Sequence, residues 1–134
     1  MKRIYLGKPE DQTVVVPVGG AVGSYSQYGE DLVLDALLGC KANGFYVDIG
    51  ANDPEELSNT KRFYERGWNG VNIEPNPDLL EKMRRARTRD VNLNIGIGSC
   101  DGALPFYILS ASTLSSFDLG VAKRNCRMHR ERII

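Results

Sequence analysis

The chain has 134 residues, 42% of them hydrophobic and 25% charged, which suffices for one soluble domain with its own core and for no more than one. Seventeen basic and seventeen acidic side chains cancel, so no global field draws the protein to nucleic acid or to an anionic membrane, and neither is expected as a partner. Three cysteines far apart in sequence (Cys40, Cys100 and Cys126), without a Cys-x-x-Cys pair and with His129 as the one histidine, argue against a disulfide framework and against a zinc site.

The chain opens on MKRIYLGKPEDQ, which lacks the continuous apolar core of a signal peptide, and no apolar run approaches the roughly 20 residues needed to cross a bilayer. The expected setting is cytoplasmic, with reduced thiols and no membrane insertion. Residues 1–24 read as an N-terminal extension in which Thr13–Val18 has strand composition, confined by Pro17 to an edge or an extended arm. The stretch SYSQYGEDLVLDALLG then predicts a helix with Ser26 as N-cap, Gly39 as stop, and Val33, Leu34, Leu37 and Leu38 on one docking face. FYVDI, Phe45 to Ile49, reads as a short buried strand. The helix after it starts either at Asp53, with Pro54 in its first turn, or at Ser58, and ends at Gly67.

GVNIEP, Gly70 to Pro75, is a second strand, and NPDLLEKMRRAR a second helix after the first strand, with Asn76 as cap, Pro77 in the first turn and Leu79, Leu80 and Met83 facing inward. VNLNIGIG, Val91 to Gly98, is a third strand, and LPFYIL a fourth extended segment after the turn SCDG. Strands alternating with helices predict an α/β domain over residues 25–134, with a parallel sheet and helices on its faces.

In such a sheet, ligands bind beyond the carboxyl ends of the strands. Asp48-Ile49-Gly50-Ala51-Asn52 occupies that place on the first strand, with Glu74 at the end of the second, 24 positions beyond Gly50. That is near the spacing of roughly 20 at which an acid accepts hydrogen bonds from a ribose. The dinucleotide fingerprint Gly-x-Gly-x-x-Gly is reduced to Gly50 alone, and Asp48 would repel a pyrophosphate while welcoming an ammonium group. A ligand with a ribose, an ammonium and a sulfonium but no phosphate fits, which describes S-adenosylmethionine.

SQYGEDLVL, GFYVDIGANDPEELSNT, FYERGWNGVNIEPNP and RDVNLNIGIG, in that order, resemble the FkbM-type family of S-adenosylmethionine-dependent methyltransferases from about Tyr25 to Phe117. The resemblance implies a Rossmann-like domain that transfers methyl, usually to a hydroxyl oxygen of a small molecule or glycan. It also implies cofactor contacts from Asp48, Gly50, Ala51, Asn52 and Glu74, with Ser26 and Gln27 closing over the methionine end. The family's next strand, of the type Asp-Phe-Leu-Lys-Ile-Asp-Val-Glu-Gly, has no counterpart here. The resemblance therefore implies the N-terminal portion of the domain, truncated after the third or fourth strand, and it assigns no catalytic base. Two other readings stand beside it: an inactive cofactor-binding remnant, and an NAD-type oxidoreductase, against which the lost glycines speak.

The remaining features have plainer readings. The basic blocks RRARTR and KRNCRMHRER are solvated helix faces, His129 lies in the second of them, and Phe63, Tyr64 and Trp68 are packing residues. Nothing cationic is spaced to activate Cys100.

Overall fold

A computed structural model describes residues 23–134 of the chain. The arm expected over Thr13–Val18, and all but the last two residues of the extension 1–24, lie outside the described residues. Strands β1 (Phe45–Ile49), β2 (Asn69–Ile73) and β3 (Val91–Leu93) form a three-stranded parallel sheet in the order β1-β2-β3. Helix α1 (Glu30–Leu37) precedes the sheet, α2 (Lys61–Glu65) joins β1 to β2, and α3 (Pro77–Ala86) joins β2 to β3. This is the α/β arrangement that the alternation of strand and helix signals requires, because parallel neighbours need a crossover connection. Residues 94–118 carry one short 3₁₀ turn, Ser112–Leu114, and α4 (Leu119–His129) follows.

Several expectations need correction. β3 stops at Leu93 rather than Gly98. Its partner β2 is followed by Pro75, which has no N–H to continue a ladder, and the Asn94 side chain takes over by donating to the Glu74 and Pro75 carbonyls at 2.8 and 3.0 Å. LPFYIL forms no strand. It makes two isolated antiparallel bridges, Tyr107 with Ser116 and Leu109 with Ile133. Asp53 caps a bend, accepting from the N–H groups of Glu55 and Glu56, and the helix waits until Lys61, whose N–H reaches Ser58 Oγ at 3.1 Å. Gly67 then ends α2 as expected. At φ 110° it lets the N–H of Trp68 reach back to the Phe63 carbonyl at 3.0 Å and its own N–H reach Tyr64.

α1 reverses the docking expectation. Leu34, Leu37 and Leu38 are exposed, whereas Asp31 and Asp35 are buried. The reason is α2, which presents Arg62 and Arg66: Arg62 donates to Asp31 at 3.1 Å, and Arg66 forms a two-pronged pair with Asp35. The helix is held by ion pairs rather than by its leucines. Ser26 is not the N-cap, a position taken by Gly29, yet its hydroxyl still accepts from the Asp31 N–H at 3.2 Å.

α3 behaves as its sequence says. Asn76 accepts from the Asp78 N–H at 3.0 Å, Pro77 occupies the first turn, and Leu79, Leu80 and Met83 are buried with Phe63 and Trp68. One face of the sheet is polar and covered. On it, Asn72 is fully buried and donates to Asp90 and Asn92, both at 2.9 Å, while Tyr46 donates to Asp90. Arg87, 1% exposed, donates to the Pro54 carbonyl and to Ser58 and lies over the Tyr64 ring. The other face carries Phe45, Val47, Ile49, Val91 and Leu93, each 36–63% exposed among the described residues.

The α1–α2 ion pairs set an acid limit. Burial alone would push the Asp31 carboxyl up, but bonds from Ser24, Tyr25, Ser26 and Arg62 together hold it below the usual carboxylate value of 3.8. Asp35 is likewise held down, chiefly by Arg66. A carboxylate depressed in the folded state contributes stability that is complete above its unfolded value and is lost as pH falls through the folded one. The melting temperature should therefore fall steeply below about pH 4, and Asp35→Asn should flatten that fall. A melting temperature level from pH 5 to pH 2 would contradict the assignment.

Candidate functional site

β1 ends at Ile49, and the chain turns through two left-handed residues, Gly50 at φ 73° and Asn52 at φ 54°. Glycine adopts that conformation freely and asparagine tolerates it better than most side chains. The space where a Gly50 Cβ would project is empty. The turn is tied down by three successive main-chain donors. Gly50 and Ala51 both donate to the Ile73 carbonyl, at 2.8 and 3.2 Å, and Asn52 donates to Glu74 Oε2 at 2.8 Å.

Glu74 is 4% exposed. Its second oxygen accepts from the Asn76 N–H at 2.8 Å, so one carboxylate joins the turn after β1 to the start of α3. Each oxygen keeps a further lone pair for another donor.

Beyond these strand ends lies a cavity of about 470 Å³. Gly50, Asn52 and Glu74 line it, together with the apolar Ile49, Ile73 and Ile95. Phe106 and the segment from Ser112 to Asp118, Leu114 excepted, complete the lining. A mostly apolar hollow of this size with a few converging polar groups is the usual form of a small-ligand site, for which about 300–1,000 Å³ is typical.

Of the seven residues expected at the cofactor, the structure brings Gly50, Asn52 and Glu74 to this cavity. Ala51 is buried beside it and does not line it. Asp48 belongs to the covered polar face, where Oδ2 accepts from the Thr60 hydroxyl at 2.8 Å. Burial pushes its carboxyl up, against a downward pull from Thr60 and Arg87. Ser26 and Gln27 do not line the cavity either. Ser26 donates to Asp31 at 2.8 Å, and Gln27 donates to the Tyr28 hydroxyl at 3.2 Å. The wall from Ser112 to Asp118 is what the sequence reading missed. Its one signal is the density of hydroxyls in SASTLSSFD, a composition that equally describes any surface loop.

In parallel α/β sheets the hollow beyond the carboxyl edge is where ligands generally bind. Residues 48–133 match the methyltransferase FkbM domain, and the chain belongs to that family. The match begins at Asp48 and runs through the missed wall, and the family implies methyl transfer from a methyl-donor cofactor. Searches of curated proteins and of solved structures give no match.

Among the described residues no group of three His, Cys, Asp or Glu converges as a metal-ligand set, and no helix is long and apolar enough to cross a membrane. Cys40 and Cys100 are exposed, Cys126 is half-buried, and none is paired.

Proposed function

We propose that this domain binds S-adenosylmethionine and transfers its methyl group to a hydroxyl oxygen of a small molecule or glycan. The choice of cofactor rests on the main-chain donors after β1. A pyrophosphate needs such donors free at the N-terminus of a helix. Here the N–H groups of Gly50, Ala51 and Asn52 end on Ile73 and Glu74, and α2 starts nine positions after Asn52. The crevice also presents the Glu74 carboxylate, which repels a phosphate and accepts from ribose hydroxyls through the lone pairs its two backbone bonds leave over.

When bound, the cofactor supplies an electrophilic methyl group on a sulfonium. The residues of this chain hold it: Glu74 on the ribose, Gly50 by leaving room at the turn, and the side-chain amide of Asn52 as a further donor beside them. Ser112 and Thr113 also line the cavity, and their hydroxyls are candidates for contact with an acceptor. Catalysis of this kind is mainly the holding of donor and acceptor in line.

Calorimetry should show S-adenosylmethionine or S-adenosylhomocysteine binding at least about tenfold more tightly than NAD. Tighter binding of NAD would overturn the reading. Radiolabelled methyl transfer to a panel of sugars and other hydroxylated compounds tests turnover. The open face of the sheet favours one second reading, a cofactor-binding remnant, and binding without transfer to any acceptor would select it.

A further inference from the structure

We propose that Asn43 is a site of spontaneous deamidation, selected by the fold over a second copy of the same dipeptide, and that the isoaspartate formed there loosens the seat of Trp68. The chemistry is internal to Asn43-Gly44. A base takes the proton of the Gly44 N–H, and the nitrogen bonds to the side-chain carbonyl carbon of Asn43. The bond from that carbon to the amide nitrogen breaks, and ammonia leaves with a proton from water. Water then opens the five-membered succinimide at either carbonyl, giving aspartate or, with the main chain rerouted through the side chain, isoaspartate. Glycine favours the closure because it has no Cβ to crowd the attacking nitrogen.

The sequence Asn-Gly occurs twice, and the fold treats the two copies differently. Asn69-Gly70 lies in β2, where the ladder with β1 keeps the backbone extended, Gly70 is buried, and its N–H donates to Asp90 Oδ1 at 2.8 Å. A nitrogen bonded to a carboxylate keeps its proton. Asn43 is exposed in irregular chain before β1, and among the described residues neither its side chain nor the Gly44 N–H has a hydrogen-bond partner. That nitrogen is free to attack.

Gly44 cannot be exchanged for a slower neighbour without cost, because a Cβ there would overlap the Trp68 ring. Trp68 is buried, and its indole N–H donates to the Lys41 carbonyl at 2.9 Å, while the Gly44 carbonyl accepts from the Asn69 N–H at 3.4 Å. Residue 43 thus lies between two ties to the segment 68–69. Isoaspartate adds one main-chain atom between them, and the loop moves off the ring.

Incubation of the folded chain in mildly alkaline buffer, followed by peptide mapping, reads the two sites against each other. Asn43 should gain the mass of an amide-to-acid conversion at least about tenfold faster than Asn69, which has to wait for local opening of the sheet. In the urea-unfolded chain the two should convert within about twofold of each other, since the protection is gone. Trp68 is the one tryptophan, so its fluorescence should shift to the red in step with isoaspartate at position 43. Asn43→Gln, whose longer side chain closes a ring far more slowly, should stop both changes. Equal rates at the two sites in the folded chain, or conversion of Asn43 in the unfolded chain alone, would overturn the selection by the fold. Isoaspartate at 43 with unchanged emission, or the same red shift in Asn43→Gln, would overturn the link to Trp68.

Discussion

Glu74→Ala should lower both the stability of the domain and its affinity for S-adenosylhomocysteine, and the two losses can be read separately. The carboxylate is 4% exposed, and its two oxygens accept the Asn52 and Asn76 N–H groups at 2.8 Å each. Truncation strands two buried donors, and an unsatisfied buried group costs about 1–3 kcal/mol. A loss of about 2–4 kcal/mol is a large share of the 5–15 kcal/mol available to a domain.

Affinity should fall by about 1.5–3 kcal/mol, the range for hydrogen bonds to a charged group, when titrated at a temperature where both proteins are folded. Glu74→Gln, which retains one acceptor oxygen, should lie between the two in both measurements. A fall in melting temperature with unchanged affinity would leave Glu74 as a brace between two loops and remove the ribose contact from the proposal. An unchanged melting temperature would refute the brace.

Asp31→Ala is expected to be the most damaging single truncation outside the cavity. Asp31 is fully buried and takes four hydrogen bonds, from Ser24 Oγ at 2.6 Å, the Tyr25 N–H at 3.0 Å, Ser26 Oγ at 2.8 Å and Arg62 Nε at 3.1 Å. It therefore anchors the segment 24–26 as well as the junction of α1 with α2. Removing one member of a buried ion pair costs about 3–5 kcal/mol, and the loss here should lie toward the lower end, because Arg62 is 20% exposed and keeps Asp35 at 3.9 Å. The melting temperature should drop by roughly 10–20 °C. The double replacement Asp31→Ala with Arg62→Met should recover part of that loss, since it removes the stranded charge too. A single variant melting within about 2 °C of the wild type would show that this cluster does not hold α1.

The contrast between α1 and α3 shows which parts of this fold a reader of the sequence can see. In α3 the cap, the proline and the inward residues are all local features, and Asn76, Pro77, Leu79, Leu80 and Met83 stand where local rules put them. In α1 the apolar stripe was equally clear, but which face is buried was decided by Arg62 and Arg66, about 30 residues away. Periodicity reports that a helix is amphipathic and does not say which side its neighbour will prefer.

The site divides in the same way. Gly50, Asn52 and Glu74 follow from their positions at strand ends. Asp48 is one residue of a strand, and alternation sends its side chain to the opposite face, toward Thr60. Phe106 and Phe117 belong to a stretch without regular secondary structure, so no periodic rule announces them. Their rings pack on each other, and that of Phe117 occupies the space that a Cβ at Gly96 would need.

The tied-down turn after β1 has a consequence for how this site can diversify. When backbone N–H groups perform recognition, every sequence that keeps the turn keeps the same specificity, and changing it means rebuilding the loop. Here Gly50, Ala51 and Asn52 direct those groups inward, to Ile73 and Glu74. The cavity is also lined by residues with varied side chains, among them Asn52, Ser112, Thr113, Phe106 and Phe117. Ser112 and Thr113 can be exchanged by single codon changes without touching the sheet, whereas Asn52, at φ 54°, is restricted to residues that tolerate a left-handed backbone. Over evolutionary time such a wall can drift from one acceptor to another while the sheet beneath it stays the same.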